Sequence, residues 1–190
     1  MSYPQILQLD SQGQPNKWIT WQDAVVYQAK DLIAWSLGEV EFEFRGGENA
    51  VTGRTSIIKT SSIIALKGAA GKRRNRPPSL SNRELFRRDR HLCGYCGGVF
   101  TDTNLTRDHI VPRSKGGKDT WMNVVTCCRR CNQYKDDKSL KEARMELLYV
   151  PYVPTRAEHL ILANRNILKD QMDFLIDFLP DNSRIKKDLT

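Results

Sequence analysis

Two cysteine pairs of identical spacing, Cys93-x-x-Cys96 and Cys128-x-x-Cys131, constrain this chain more than any other feature. A C-x-x-C pair offers two thiolates to one ion, and two such pairs have the spacing of a four-thiolate zinc site. Four sulfurs satisfy tetrahedral zinc and leave no position open, so the expected site is structural. It would tie together the two ends of a long insert. Cys127 leaves one choice open, because Cys127-x-x-x-Cys131 also has chelating spacing. Cys128 is preferred because it repeats the spacing of the first pair; Cys127 then reads as a small buried hydrophobe.

The insert holds the reactive groups. Residues 105–111 (LTRDHIV) read as a strand that ends at Pro112, and Lys115-Gly116-Gly117-Lys118 reads as a turn. Residues 123–126 (NVVT) can form the returning strand. Asn132 directly follows the last cysteine and should begin a helix with Gln133, Tyr134 and Lys135. A zinc staple would therefore hold Asn132 against the strand that carries Asp108 and His109. A carboxylate, an imidazole and the amides of Asn123 and Asn132 are the parts of a second, hydrolytic metal site.

Charge points to a polyanionic partner. The chain carries a net charge of +8. Residues 1–50 are net −4, residues 51–90 net +9, residues 91–148 net +3, and the remainder is balanced. The positive excess thus lies just before the first thiol pair, where a phosphate backbone would meet it. No apolar run approaches the roughly 18 residues of a membrane helix. The opening residues, MSYPQILQLDSQGQ, have neither a basic start nor an apolar core, so a cytoplasmic protein is expected. In a reducing compartment, the C-x-x-C pairs read as metal ligands before disulfides.

Hydrophobic periodicity predicts an α+β chain without internal repeats. Residues 4–9 read as a strand. Thr20 caps a helix whose apolar positions (Trp21, Ala24, Val25, Ala29, Leu32 and Ile33) lead towards Gly38. Val40, Phe42 and Phe44 alternate with glutamates as a half-buried strand that Gly46-Gly47 should end. Residues 56–58 and 62–66 are two further strand candidates. This makes a small N-terminal α+β unit over residues 1–68, followed by a basic linker over 69–80. Ser81-x-x-Glu84 opens a short helix to about Arg90. Ser139-x-x-Glu142 caps a helix through Leu148, which closes a domain over 81–148. A C-terminal helical extension follows over 149–190, with one long helix from Thr155-x-x-Glu158 to about Leu179. Its apolar stripe is read as packing on the protein's own core.

The stretches C-G-Y-C, T-R-D-H-I-V-P-R-S-K-G-G, W-M-N-V-V and C-R-R-C-N-Q-Y-K occur in that order. Over residues 80–148 this pattern closely resembles the HNH endonuclease family, in its bacterial McrA-like form with a four-cysteine zinc site. The resemblance implies a ββα-metal nuclease fold. It implies that His109 is a general base acting on water, and that Asp108 and Asn132 hold one catalytic divalent cation. Asn123 would position the His109 loop without touching the metal. In the family the residue matching Asn132 is often histidine; an asparagine carbonyl favours a hard cation, magnesium or manganese. The implied products are a 5′-phosphate and a 3′-hydroxyl.

Double-stranded DNA is the expected substrate. Arg113, Lys115, Lys118, Arg129, Arg130 and Lys135 surround the expected site, and Arg73, Arg74 and Arg76 precede it as candidate phosphate contacts. His91 and His159 have no partner in the pattern. A non-catalytic zinc-stapled nucleic-acid-binding module would explain the cysteines and the charge, but not Asp108, His109 and Asn132 together. An RNA-directed protein would be expected to cluster its aromatics for base stacking, and here they are scattered. One site per chain cuts one strand at a time, so a double-strand break needs a homodimer or two sequential nicks. The expected settings are restriction, phage defence or mobile-element biology.

Overall fold

The computed structural model describes residues 4–68 and 77–189. The first part runs β1 (Ile6–Leu9), β2 (Pro15–Ile19), α1 (Trp21–Ala29), β3 (Ile33–Glu48) and β4 (Thr55–Leu66). Then come α2 (Asn82–Arg88), β5 (Leu105–His109), β6 (Val124–Cys128), α3 (Arg129–Lys135) and α4 (Leu140–Ala143). The last helices are α5 (Arg156–Ala163), α6 (Lys169–Ile176) and α7 (Arg184–Leu189). The chain divides into two units, residues 1–76 with 156–190, and residues 77–155. Residues 69–76, which include Arg73, Arg74 and Arg76, lie outside the described residues.

All four residues of β1 are buried, so this strand needs cover on both faces. It sits inside a four-stranded sheet of order β2-β1-β4-β3, parallel to β4 and antiparallel to β2. Ile6, Ile19 and Ile64 pack with Ala24 of α1. Leu7, Leu9, Ile63 and Ala65 belong to a second cluster and meet Leu160, Leu175, Leu179 and Ile185. Alternate side chains of β1 and β4 thus join different cores, as a strand period of two requires. Each buried aliphatic side chain contributes about 1.5–3 kcal/mol. Gln171 of α6 is fully buried, and its Nε2 donates to the carbonyls of Gln5 (2.9 Å) and Ser62 (2.8 Å). The C-terminal helices therefore complete the core of the N-terminal sheet.

Several element boundaries differ from the sequence expectation. The first helix stops at Ala29 because Asp31 takes a φ of 53°, and Ile33 already pairs with Leu66. Gly46-Gly47 does not end β3, which absorbs a register shift between Arg45 and Glu48. The two strands expected over 56–66 are one, β4. The long C-terminal helix is two, α5 and α6. Between them the Asn164 carboxamide accepts from the Asn166 N–H at 3.0 Å, a local turn that competes with the helical ladder. The helix capped by Ser139 ends at Ala143, where Arg144 turns left-handed with a φ of 53°. Among the described residues no helix is long and apolar enough to cross a membrane.

In the second unit, Ser81 caps α2 by accepting from the Glu84 N–H at 3.2 Å. Leu85 and Phe86 pack against Leu105, Trp121 and Val124. The helix ends in a buried ion pair. Arg88 Nε lies 2.7 Å from Asp89 Oδ1, and Arg88 also donates to the carbonyls of Trp121, Val124 and Tyr152. Asp89 Oδ2 accepts from the Thr126 N–H at 2.8 Å. This network seats α2 on β6, and no sequence motif announced it.

Candidate metal and hydrolytic site

The sulfurs of Cys93, Cys96, Cys128 and Cys131 all lie within 4.8 Å of one another. Zinc with bonds of about 2.3 Å spaces four tetrahedral sulfurs about 3.8 Å apart. The Cys96–Cys128 separation of 4.0 Å is close to that, so the thiol set fits a tetrahedral cation. Local geometry builds the cluster from both ends. The Cys93 carbonyl accepts from Gly97, the Cys93 N–H donates to Gly98, and Gly94 N–H bonds to the Thr126 carbonyl of β6. Cys128 caps α3, its sulfur accepting from the Cys131 N–H at 3.5 Å.

The structure separates Cys127 from this set. It is fully buried, and its thiol donates to the Cys128 carbonyl at 3.3 Å. The neighbouring Cys127 side chain draws the Cys93 thiol down to about 3, while Cys127 itself is pushed upward. Burial, then the neighbouring Cys128 sulfur, raises Cys131. Crowded thiols resist full ionisation, and a bound cation removes that cost.

β5 and β6 pair antiparallel, with Asp108 opposite Val125 and His109 opposite Val124. Successive side chains on β5 point to opposite faces, so Asp108 and His109 are adjacent in sequence but differently placed. Asp108 is 5% exposed. Its Oδ2 accepts from the Tyr95 hydroxyl, and its Oδ1 from Lys135 Nζ at 3.1 Å. Tyr95 stands between the first two thiols, so the knuckle itself grips the carboxylate. Burial, then the Asp108 carboxylate, keeps the Tyr95 hydroxyl protonated and hence a donor.

Lys135 is a correction to the sequence reading. Expected among the surface cations that meet phosphate, it is fully buried and donates to Asp108 and, at 2.8 Å, to the His109 carbonyl. Its aliphatic stem lies in the domain and its ammonium faces the β5 backbone rather than solvent. Asn132, three residues earlier on α3, shares its helix face and is half-buried.

His109 turns towards the loop that follows it. Its Nε2 lies 3.0 Å from Asp119 Oδ1. Arg107, on the same face of β5, brings Nη1 to 2.8 Å and 2.6 Å from the two Asp119 oxygens. The Arg107 guanidinium holds the Asp119 carboxyl below the usual carboxylate range. Asn123 clamps the same loop. Its Oδ1 accepts from the Val111 N–H at 2.9 Å, and its Nδ2 donates to the carbonyls of Val111 (3.1 Å) and Lys118 (2.9 Å). Gly117 is required by close approach, since a Cβ there would stand 1.8 Å from the Val111 carbonyl oxygen. Gly117→Ala should displace the loop and lower thermal stability by about 1–3 kcal/mol, read by calorimetry. An unchanged melting temperature would refute this close contact.

Other expected residues are scattered. Arg113, Lys115 and Lys118 are exposed on the loop, and Lys115 pairs with Glu142. Arg129 donates to the Thr103 carbonyl at 2.9 Å. With Arg130, Phe100 and Asn104 it lines a cavity of about 630 Å³ beside the thiols, so these two arginines flank the staple. His91 pairs with Asp102 at 2.9 Å. Tyr95 and Asp119 were missed by sequence reasoning. Both lie inside the motif-bearing segment, but no spacing rule links either to Asp108 or His109.

Comparison with known proteins finds likeness over the segment that carries these residues. Residues 93–148 match the family model described as HNH endonuclease. A stretch of 44 residues is 50% identical to the CRISPR-associated endonuclease Cas9 of Corynebacterium diphtheriae. That stretch covers 23% of this chain and only 4% of the relative's length.

Proposed function

We propose that the HNH endonuclease segment over residues 93–148 makes this chain a metal-dependent endonuclease that hydrolyses phosphodiester bonds in double-stranded DNA. The observation that carries the reading is the joint placement of Asp108 and His109 on one strand, with the thiol knuckle and α3 packed around them. His109 is the general base, and its imidazole can take a proton from the attacking water. Asp108 and Asn132 would hold a divalent cation. Each Asp108 oxygen uses one lone pair on Tyr95 or Lys135 and keeps another, and the Asn132 carbonyl adds a neutral oxygen. This all-oxygen donor set suits magnesium or manganese. Such a cation, when bound, supplies charge stabilisation at the scissile phosphate and the leaving oxygen. Asn123 holds the loop behind His109 through its three backbone hydrogen bonds. Zinc at the four cysteines keeps the pieces in register.

Arg113, Lys118 and Arg130, exposed on this unit, would meet phosphates. The sheet unit, completed by its C-terminal helices, would choose the target. Cleavage leaves a 5′-phosphate and a 3′-hydroxyl. A double-strand break needs two copies acting together or two sequential nicks.

The ion pair between Lys135 and Asp108 favours a second reading, because the ammonium stands where a cation would bind. On that reading the chain is a zinc-stapled binding module without catalysis. Supercoiled plasmid with magnesium or manganese, given wild-type or His109→Ala protein, decides between them. The nuclease should nick or linearise plasmid, and His109→Ala should cut roughly 10²–10⁴-fold more slowly while still binding DNA. Equal cutting by both proteins, or binding without cutting by either, would count against the proposal.

A further inference from the structure

We infer that Asp119 is a positioning residue for His109: it fixes the ring with the proton on Nε2 and leaves Nδ1 as the nitrogen that accepts a proton. The catalytic part rests on the nuclease reading; the ring's orientation and tautomer do not.

The geometry comes from three constraints. Residues 107 and 109 share one face of β5, so Arg107 and His109 point the same way. The loop after Pro112 folds back over that face. It turns at Gly116, with a φ of 84°, and presses Gly117 against the Val111 carbonyl. Asn123 then ties Val111 and Lys118 together, which places Asp119 next to a clamped backbone carbonyl. Asp119 Oδ1 stands 3.0 Å from His109 Nε2, and Arg107 bonds both oxygens of the same carboxylate.

An ionised carboxylate only accepts hydrogen bonds. Arg107 keeps Asp119 ionised, so a contact at 3.0 Å requires the proton on Nε2. A neutral imidazole carries one proton, and Nδ1 therefore keeps its lone pair. Among the described residues no hydrogen bond is made to Nδ1. When the oxygen of water bonds to phosphorus, its O–H proton passes to Nδ1 and the P–O3′ bond breaks. The leaving 3′-oxygen takes a proton from solvent. The imidazolium so formed has its Nε2–H already facing Asp119, an arrangement that stabilises the developing charge, as the buried aspartate does in serine protease triads. Arg107 holds the carboxylate in place from the other side. Asp119 has 49% of its side chain exposed, so its effect is expected to be smaller there.

Heteronuclear NMR of the imidazole rings in the zinc-loaded full chain reads the tautomer directly. The spectra are taken at about pH 8, above the usual imidazole range. His109→Ala assigns the ring, and Asp102→Asn, which alters only the partner of His91, is the control. The wild type should show His109 protonated on Nε2. Asp119→Asn should shift it towards the Nδ1–H form, because an amide can donate to Nε2. The same variant should lose about 10- to 1,000-fold in kcat with KM little changed, and Asp119→Glu should recover part of the loss. A wild-type ring protonated on Nδ1, or an Asp119→Asn protein with unchanged tautomer and kcat, would overturn the inference. An Nε2–H ring that switches in Asp119→Asn, in a protein that cuts no DNA, would uphold the orienting contact and sink the nuclease reading.

Discussion

Stripping the metal from the four-cysteine cluster should unfold residues 77–155 and leave the sheet unit folded. The cysteines come from two stretches, 93–96 and 128–131, and their sulfurs converge within 4.8 Å. Structural zinc sites of this kind contribute about 10–16 kcal/mol at neutral pH, more than the whole stability of most domains. The rest of the unit has a small apolar core of Leu85, Phe86, Leu105, Trp121 and Val124. Even with Val125, Ala143 and Tyr149, which are also buried, side chains at about 1.5–3 kcal/mol each do not outweigh the ordering entropy of the unit without the staple. Chelation should open the amides of β5 and β6 to hydrogen exchange, while those of β1 and β4 stay protected. Zinc should restore the protection. Protected β5 and β6 amides after complete metal removal would show that the cluster is not what holds this unit together.

The second large effect is expected at the buried pair of Arg88 and Asp89. Arg88 and Asp89 have side chains 1% and 0% exposed and bond to each other. Arg88 also stacks over Trp121 at 5.4 Å and Tyr152 at 5.7 Å. Arg88→Ala would leave the Asp89 charge buried without its partner. Breaking a buried pair in this way costs about 3–5 kcal/mol. By contrast, Arg88→Met with Asp89→Asn removes both charges, fills the stem's volume and keeps an acceptor for the Thr126 N–H. The double variant should recover most of the loss. Urea unfolding followed by circular dichroism measures both. A single variant within about 1 kcal/mol of the wild type would mean that water or a rearranged side chain satisfies Asp89.

The four-cysteine cluster and the pairing of the Asp-His strand were legible for a physical reason. Metal ligands and turn residues act through short spacings, and C-x-x-C or Gly-Gly leaves the backbone few choices. Asn123 was likewise readable as a loop holder, and its three backbone hydrogen bonds lie in one turn of chain. Lys135 shows the limit. A lysine beside a basic stretch looks like a phosphate contact, and only the packing of α3 on β5 turns its ammonium inward to Asp108. The same holds for Tyr95 and Asp119, whose partners stand 13 and 10 residues away.

In the N-terminal unit the alternation of buried residues marked strands, but not their lengths. Pairing with a partner decided these: β3 runs through Gly46-Gly47 because β4 supplies hydrogen bonds along its length. Nor did the sequence reveal that Leu160, Leu175 and Leu179 cover the sheet of Leu7 and Ile63, contacts that span most of the chain. What the sequence by itself determined was local: the ligand spacing, the caps, the paired strands around the Asp-His motif, and a basic surface. The tertiary structure alone decided which charged groups are buried, which carboxylate orients the histidine, and which helices complete which sheet. Those outcomes depend on burial and on contacts between residues far apart in the chain, and neither leaves a periodic trace in the sequence.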